Sequence, residues 1–522
     1  MSDSKYQFPD ELEALDYLMF RGESDPRTRS PIMAVVVLDG TPTIDQVRHI
    51  AECASRNFIR MRQRVVAPLL PLINARWVID PDFNIEFHVR ELALPAPGNQ
   101  AQLMQLAASI MSTPFDLARP LWEFTLVSGV NDCGGRSAVM MKYHHSIMDG
   151  MGAIQTFTEL FDFDANAPPK SLSPKPVPED LDSVELTRRG LINAPTRLIP
   201  ALGRWLNTGI SWGAEVLQQP NTAITELREL MQSTLRVAGP TAAPPSPLLR
   251  RRGLARKVDG LEVDLTAFKR AAKHHGCSFN DAYLAAVAAG VRLYHEEMGQ
   301  PVNEIPIAIP VNVRRDDDPT SGNRWTGARL ALPVGETDAA KRMQTIRGRV
   351  LECIAEPGAL FLGHIASVLN VLPQPLLDSF NQLVASSDIQ ASNVPMMPQQ
   401  PYFAGCKTTA YYPIGPLPGV AVMLGLVTLA GRCFVGIHMD TAAITEPARF
   451  VACLQRGFDE VINSEPAATP AGKPKSRVTK TTTSAARATA RKRAAKPKGK
   501  PRQTGTSKAK PAGRPQRKEA GA

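Results

Sequence analysis

The sequence has no long apolar run, no closely spaced cysteine pair and no basic, apolar leader, and each absence removes a class of protein. Its longest apolar stretch, residues 420–430, is interrupted by Gly425 and falls far short of the roughly 20 residues that a helix needs to cross a bilayer. Any membrane contact is therefore expected to be peripheral. The seven cysteines (Cys53, Cys133, Cys277, Cys353, Cys406, Cys433, Cys453) are odd in number, scattered and without a C-x-x-C pair, which suits a reducing cytoplasm and argues against a zinc knuckle. Met1-Ser2-Asp3-Ser4-Lys5 leads into Phe8-Pro9-Asp10-Glu11 with no basic segment followed by an apolar one, so no secretory signal is expected.

What is present reads as globular. The chain has 522 residues, too many for one ordinary core, so two packed domains or one large one are expected. Hydrophobic residues make up 43%, and 45 prolines and 36 glycines supply turns and breaks. The net charge of +10 suggests nucleic acid or an anionic surface until it is divided along the chain. Residues 471–522 hold 17 Lys and Arg against one acid, Glu519, so that segment carries +16 and the remainder −6. This tail is nearly free of large apolar residues and is expected to be disordered. Without aromatic residues to stack on bases it is as suited to anionic lipid as to nucleic acid.

Periodicity gives an alternating helix and strand reading. Strands are expected at 31–38, 121–127, 137–143, 261–263, 305–313, 410–412, 420–428 and 432–439. Helices are expected after the capping-box sequence Thr43-Ile44-Asp45-Gln46, at 102–111, at 153–161, up to His275-Gly276, at 279–298 and at 446–463. The stretches 166–180 and 238–246 are rich in Pro with Ser and Lys or Ala and read as linkers around a helical connector with amphipathic parts at 198–206 and 224–235. The expected organisation is therefore an N-terminal domain (1–180), a connector (181–255), a C-terminal domain (256–467) that repeats the first in outline, and the tail (468–522).

One arrangement joins a titratable base, an acid at fixed spacing and a turn-permitting glycine: His144-His145-x-x-x-Asp149-Gly150, at the end of a strand. A histidine near pKa 6.5 accepts a proton at neutral pH, and Asp149 could hold the turn through a buried partner such as an arginine. The alternative is two histidines satisfied by local hydrogen bonds. No third or fourth metal ligand follows at suitable spacing, so no metal is expected. A second pair, His274-His275, has Phe279 and Asn280 where the acid and glycine would stand, and is expected to end a helix, where positive charge suits the dipole. Gly209-Ile210-Ser211-Trp212-Gly213 matches a nucleophile elbow, but it follows a helical pattern rather than a strand. Ser278-Phe279-Asn280-Asp281 either caps the following helix or places Asn280 near a substrate hydroxyl or oxyanion.

Together with Leu15-Asp16 and Phe20, Pro120-Leu121-Trp122-Glu123, Pro310-Val311-Asn312-Val313-Arg314, Ser392-Asn393-Val394-Pro395 and Tyr412-Pro413-x-Gly415-Pro416, these motifs make the chain resemble the bacterial wax ester synthase/acyl-CoA:diacylglycerol acyltransferases. That family lies in the wider group of chloramphenicol acetyltransferases, carnitine acyltransferases and condensation domains. The resemblance spans residues 10 to 465. It implies an α/β fold of two chloramphenicol-acetyltransferase-like domains, mixed sheets covered by helices, with an active-site tunnel between them. It further implies transfer of a long-chain acyl group from acyl-CoA to diacylglycerol or a fatty alcohol, with no covalent acyl-enzyme and no cofactor beyond acyl-CoA as co-substrate. His145 would be the general base, His144 would support it, and Asp149 would orient the loop through an arginine, for which Arg314 is the candidate. Asn280, Asp281 or a backbone N–H near Gly150 would meet the substrate or its oxyanion. The implied setting is cytoplasmic, at a membrane or lipid-inclusion surface. Two departures stand out: Ser146-Ile147-Met148 fills the variable middle of the histidine motif, and Met396-Met397 follows Pro395 where the family often has Gly-Pro.

Overall fold

Pro31-Ile-Met-Ala-Val-Val-Val-Leu38 is rich in β-branched residues, which favour extended backbone, and it forms a strand buried at every position except Ile32. The computed structural model describes residues 8–70, 73–131, 135–148, 156–192, 243–312, 325–354, 366, 369–370, 372–374, 377 and 387–464. In chain order the N-terminal elements are α1 (Ala14–Arg21), β1 (Pro31–Leu38), α2 (Ile44–Asn57), β2 (Gln63–Val66), β3 (Arg76–Ile79), α3 (Ile85–His88), β4 (Val89–Ala93), α4 (Gln100–Ser112), β5 (Trp122–Ser128) and β6 (Ser137–His144). Then follow β7 (Arg256–Val263), α5 (Leu265–His274), α6 (Phe279–Glu297), β8 (Glu304–Asn312), β9 (Trp325–Pro333), α7 (Ala339–Ile354), β10 (Ile389–Pro395), β11 (Tyr402–Phe403), β12 (Cys406–Ile414), β13 (Val422–Leu429), β14 (Arg432–Asp440) and α8 (Pro447–Ile462).

The capping box before α2 forms as its sequence expects. Gln46 N donates to Thr43 Oγ1 at 3.2 Å and Thr43 N donates to Gln46 Oε1 at 2.8 Å, and the helix buries Val47, Ile50, Ala51 and Ala54 on one face. A second box opens α4 at Asn99 and Gln102. Nine elements were not anticipated: α1, β2, β3, α3, β4, β9, α7, β10 and β11. The connector segments 198–206 and 224–235, and the five residues 151–155 that overlap the expected helix at 153–161, lie outside the described residues; residues 156–160 are helical.

Two six-stranded mixed sheets carry the structure, in the orders β11-β12-β1-β6-β5-β4 and β7-β14-β13-β10-β8-β9. In the first, β4 and β5 run parallel and the other pairs antiparallel; in the second, β13, β10 and β8 run parallel. The sequence division places residues 402–414 with the C-terminal domain, but β11 and β12 belong to the first sheet, with Tyr411 opposite Val36. The physical reason is the edge of β1, whose unpaired backbone groups would otherwise face away from the sheet without partners.

The returning strand reaches the second sheet through a row of glycines. Gly260 of β7 stands opposite Gly436 of β14, which stands opposite Gly425 of β13. A Cβ on Gly436 would lie 1.9 Å from the Pro413 carbonyl oxygen, one on Gly425 2.8 Å from the same oxygen, and one on Gly260 2.4 Å from the Tyr412 ring. Only residues without a side chain permit this approach. The core of the first sheet accordingly continues onto Val258, Val427, Leu429 and Phe434 of the second.

Candidate active site

β6 lies between β1 and β5, antiparallel to both, and all eight of its residues are buried. Its end is fastened on both sides: His144 N donates to Leu121 O at 2.9 Å, and His145 N donates to Ser30 O at 2.9 Å. Ile147 N then donates to His144 O at 3.0 Å, closing a turn over residues 144–147. The Pro-Leu-Trp-Glu run supports this end from β5. Leu121 supplies the acceptor, Trp122 anchors the opposite face through Nε1 to Met61 O at 2.7 Å, and Glu123 Oε2 lies 3.7 Å from the fully buried Lys142 Nζ. Burial pushes the Lys142 ammonium below its ordinary pKa, opposed by Glu123 and Glu23.

The two histidines differ in what their rings meet. His144 is fully buried. Its Nδ1 lies 3.2 Å from the Ser146 amide and 2.6 Å from Ser146 Oγ. An amide N–H can only donate, so Nδ1 is the accepting nitrogen and the ring proton sits on Nε2. That nitrogen faces Glu23 Oε1 at 3.2 Å, off the line of a linear hydrogen bond. Glu23 Oε1 also accepts from Ser30 N at 2.8 Å. One carboxylate therefore holds the ring of His144 and, through Ser30, the backbone of His145. Burial raises the Glu23 pKa, but the contacts with His144 and the Ser30 amide and the field of Arg29 outweigh it and leave the carboxyl below its usual range. Both ring nitrogens of His144 thus face protein groups, Nδ1 through hydrogen bonds and Nε2 through the approach of Glu23.

His145, one residue on, is partly exposed, with Nδ1 shielded from solvent. It lines neither of two cavities of about 490 and 660 Å³ found elsewhere in the structure. Asp149, Gly150, Arg314 and Ser211 lie outside the described residues.

The helix-start candidates stand in the first turn of α6. Asp281 Oδ2 accepts from Ser278 N at 2.7 Å while Asp281 N donates to Ser278 Oγ at 3.1 Å, a complete capping box at the start of α6. Its carboxylate is engaged in that box. Asn280, beside it, makes no hydrogen bond to His144 or His145. Glu23 and Ser30 were missed by the sequence reading. The histidines they hold lie more than a hundred residues away, so no local spacing marks them.

A hydrogen-bonded clamp links this region to the second half of the chain. The Arg21 guanidinium donates to Asn370 O at 2.8 Å, Leu372 O at 2.7 Å and Gln374 Oε1 at 3.1 Å, and Asn370 Nδ2 donates to Ala14 O at 2.7 Å. Gln374 Nε2 reaches Ser24 Oγ at 2.8 Å. The segment that carries Glu23 is thus tied to residues from both halves.

Two mixed sheets joined by a returning strand, with a histidine pair at the end of a central strand, define the condensation-domain-like acyltransferase fold. Solved structures agree with this architecture. The wax ester synthase/diacylglycerol acyltransferase from Marinobacter aquaeolei VT8 matches with a TM-score of 0.57 and 21% identity, covering 87% of this chain and 99% of that one. The first condensation domain of the calcium-dependent antibiotic synthetase matches at 0.52 and 14%, covering 89% and 98%. The family described as wax ester synthase/diacylglycerol acyltransferase catalytic domain matches residues 5–283, and the C-terminal domain of the same family matches residues 321–461. A Mycobacterium tuberculosis (strain H37Rv) protein provisionally named diacylglycerol O-acyltransferase Rv2484c is 42% identical over 469 residues, 90% of this chain and 94% of that protein. A second from the same strain, provisionally named diacylglycerol O-acyltransferase tgs2, is 28% identical over 408 residues, 74% and 83% of the two chains. The chain belongs to the wax ester synthase/diacylglycerol acyltransferase family and is an O-acyltransferase. Among the described residues no helix is long and apolar enough to cross a membrane.

Proposed function

We propose that this enzyme transfers a long-chain acyl group from acyl-CoA to the hydroxyl of diacylglycerol or of a long-chain alcohol, with His145 as general base. The observation that carries the reading is the contrast within the pair: His144 has both ring nitrogens engaged by protein, while His145, fixed by its backbone to Ser30, keeps part of its surface exposed. The provisional names of the mycobacterial relatives support the acceptor class.

In this mechanism the acceptor hydroxyl gives its proton to the unprotonated nitrogen of His145 as its oxygen bonds to the thioester carbonyl carbon. The tetrahedral oxyanion collapses with cleavage of the C–S bond, and the imidazolium returns the proton to the departing CoA sulfur. An alcohol is a poor nucleophile at neutral pH, so the base is needed, while the thioester is reactive enough to proceed without a metal. A backbone N–H near Gly150 or the Asn280 amide remains a candidate for the oxyanion. The tail, at +16 against −6 for the rest, supplies an electrostatic contact with anionic lipid, placing the enzyme peripherally at membranes or lipid inclusions.

The test is thin-layer analysis of products from labelled acyl-CoA offered separately diacylglycerol, fatty alcohol and small amines. Triacylglycerol or wax ester is expected with wild type. Product formed solely with amines, or wild-type rates in His145→Ala, would overturn the assignment. Liposome binding that falls with salt and with removal of residues 471–522 checks the tail.

A further inference from the structure

The cavity of about 490 Å³ lies where the loop from α1 to β1 meets the entry to β7, and four arginines line it: Arg27, Arg250, Arg252 and Arg256. Two carboxylates, Asp388 and Asp440, oppose them. Arg256 NH1 sits 2.7 Å from Asp440 Oδ2, and Arg252 donates through Nε to Gly419 O at 2.8 Å. These two guanidinium groups are held in place by the fold. Arg27 meets Asp25 at a loose 3.7 Å with about half of its side chain exposed. Arg250 is exposed at the rim and acts on Asp388 through its field.

Burial drives the Asp388 carboxyl up to about 6, against the Ser246 amide and the two nearby arginines. The lining nevertheless keeps an excess of positive charge near neutrality. Ser387, also on the wall, is 4% exposed and its hydroxyl has no partner among the described residues. Guanidinium groups around an unpaired hydroxyl suit a phosphate, whose oxygens accept from both. The volume lies within the roughly 300–1,000 Å³ of small-molecule sites.

We propose that this cavity binds a phosphate-bearing ligand, which on the reading above is the phosphorylated end of acyl-CoA. The same loop that places Arg27 on the cavity wall carries Glu23 at one end and Ser30 at the other. Occupancy of the cavity is thus connected through a few residues of backbone to the groups that hold His144 and His145. A phospholipid headgroup presents the same chemistry and is the alternative source.

The experiment is calorimetric titration of the full-length protein, in moderate salt so that the tail contributes little, with CoA, 3′-dephospho-CoA, pantetheine and soluble dihexanoyl phosphatidate. It compares wild type with the Arg27→Gln/Arg250→Gln double variant, the Arg27→Lys/Arg250→Lys variant and, as a distant control, Arg449→Gln. CoA is expected to bind wild type and the control alike, to bind the double Gln variant at least tenfold more weakly, and to recover in part with Lys. KM for acyl-CoA should rise in the Gln variant with kcat for acyl-pantetheine unchanged. CoA binding unaffected by the Gln pair overturns the site even if acyl-CoA remains the donor. Phosphatidate binding that depends on the arginines, with CoA binding that does not, supports the phosphate site and removes its assignment to the donor. If wild type fails to use acyl-CoA at all, the proposed function falls while the titrations still decide the site.

Discussion

The chain contains two adjacent histidine pairs, and they are built for opposite ends. At the end of β6, His144 is buried against Ser146 and Glu23 and His145 is fastened to Ser30. At the end of α5, His274 is exposed and His275 serves as the helix C-cap, its Nε2 3.0 Å from Ser464 Oγ. The residue type is the same in both places. What differs is a buried carboxylate that arrives from far away in sequence at the first pair, whereas among the described residues the acid that acts on the second, Asp338, is exposed. On the proposed function, chemistry is conferred by the surroundings of a strand end, where backbone direction is set by two neighbouring strands, rather than by the imidazole itself.

The sharpest way to break this contrast is to remove each pair in turn. His145→Ala is expected to lower the acyl-transfer rate by at least about 10²-fold, while His275→Ala leaves it near wild type; equal losses would dissolve the distinction. A third kind of histidine sharpens it. His438 is buried beside Gly415 O at 2.8 Å, and burial drives its pKa from 6.5 down to about 4. The folded value lies below the unfolded one, so its contribution to stability is present above pH 6.5 and is lost as pH falls towards 4, by about 3 kcal/mol. Chemical denaturation across that window should show a smaller loss in His438→Gln.

Next in size, Glu23→Ala should destabilise the fold by about 1–3 kcal/mol, because the Ser30 amide and the His144 ring lose their acceptor, and should slow transfer as well. The folded Glu23 pKa is depressed, so its stabilisation is present above the unfolded carboxylate value and disappears as pH falls through the lower folded one. Denaturation curves of wild type and Glu23→Gln should therefore converge once pH falls below the depressed folded value. The smallest effect belongs to the second pair. Gly276 has φ +66° with nothing within 4 Å of a would-be Cβ, so Gly276→Ala should cost about 1 kcal/mol in the same denaturation assay, with activity unchanged.

Elements with strong periodicity or a cap were legible from residues alone. The capping box of α2, the uninterrupted apolar β1 and the long apolar α6 all fall where the pattern expects them. β4 escaped notice because four of its five residues are exposed, which removes the alternation that marks a half-buried strand. β10 escaped because Ile389-Gln-Ala-Ser-Asn-Val-Pro395 mixes small and polar residues, its strand character coming from parallel neighbours on both sides. α7 did carry a signal, in Ala339, Met343, Ile346 and Val350, the buried face of the helix, and it was overlooked. At the site, the histidine motif was legible because its residues are local. Glu23 was not, since nothing in Arg21-Gly22-Glu23-Ser24 distinguishes one acid from many until the chain folds. The capping role of Asp281 was legible, and the box forms.

The strand that crosses from one half to complete the sheet of the other has a consequence for how the molecule can be divided. A chain cut between residues 192 and 243 would leave the first piece with β1 as a bare edge, open to pairing with any other extended segment. The second piece would keep β12 beside its row of glycines but leave unpaired the edge of β12 that β1 covers. Neither piece would be a smaller copy of the whole. Supplied together, the two fragments would have reason to find each other, because the bare edges of β1 and β12 are complementary.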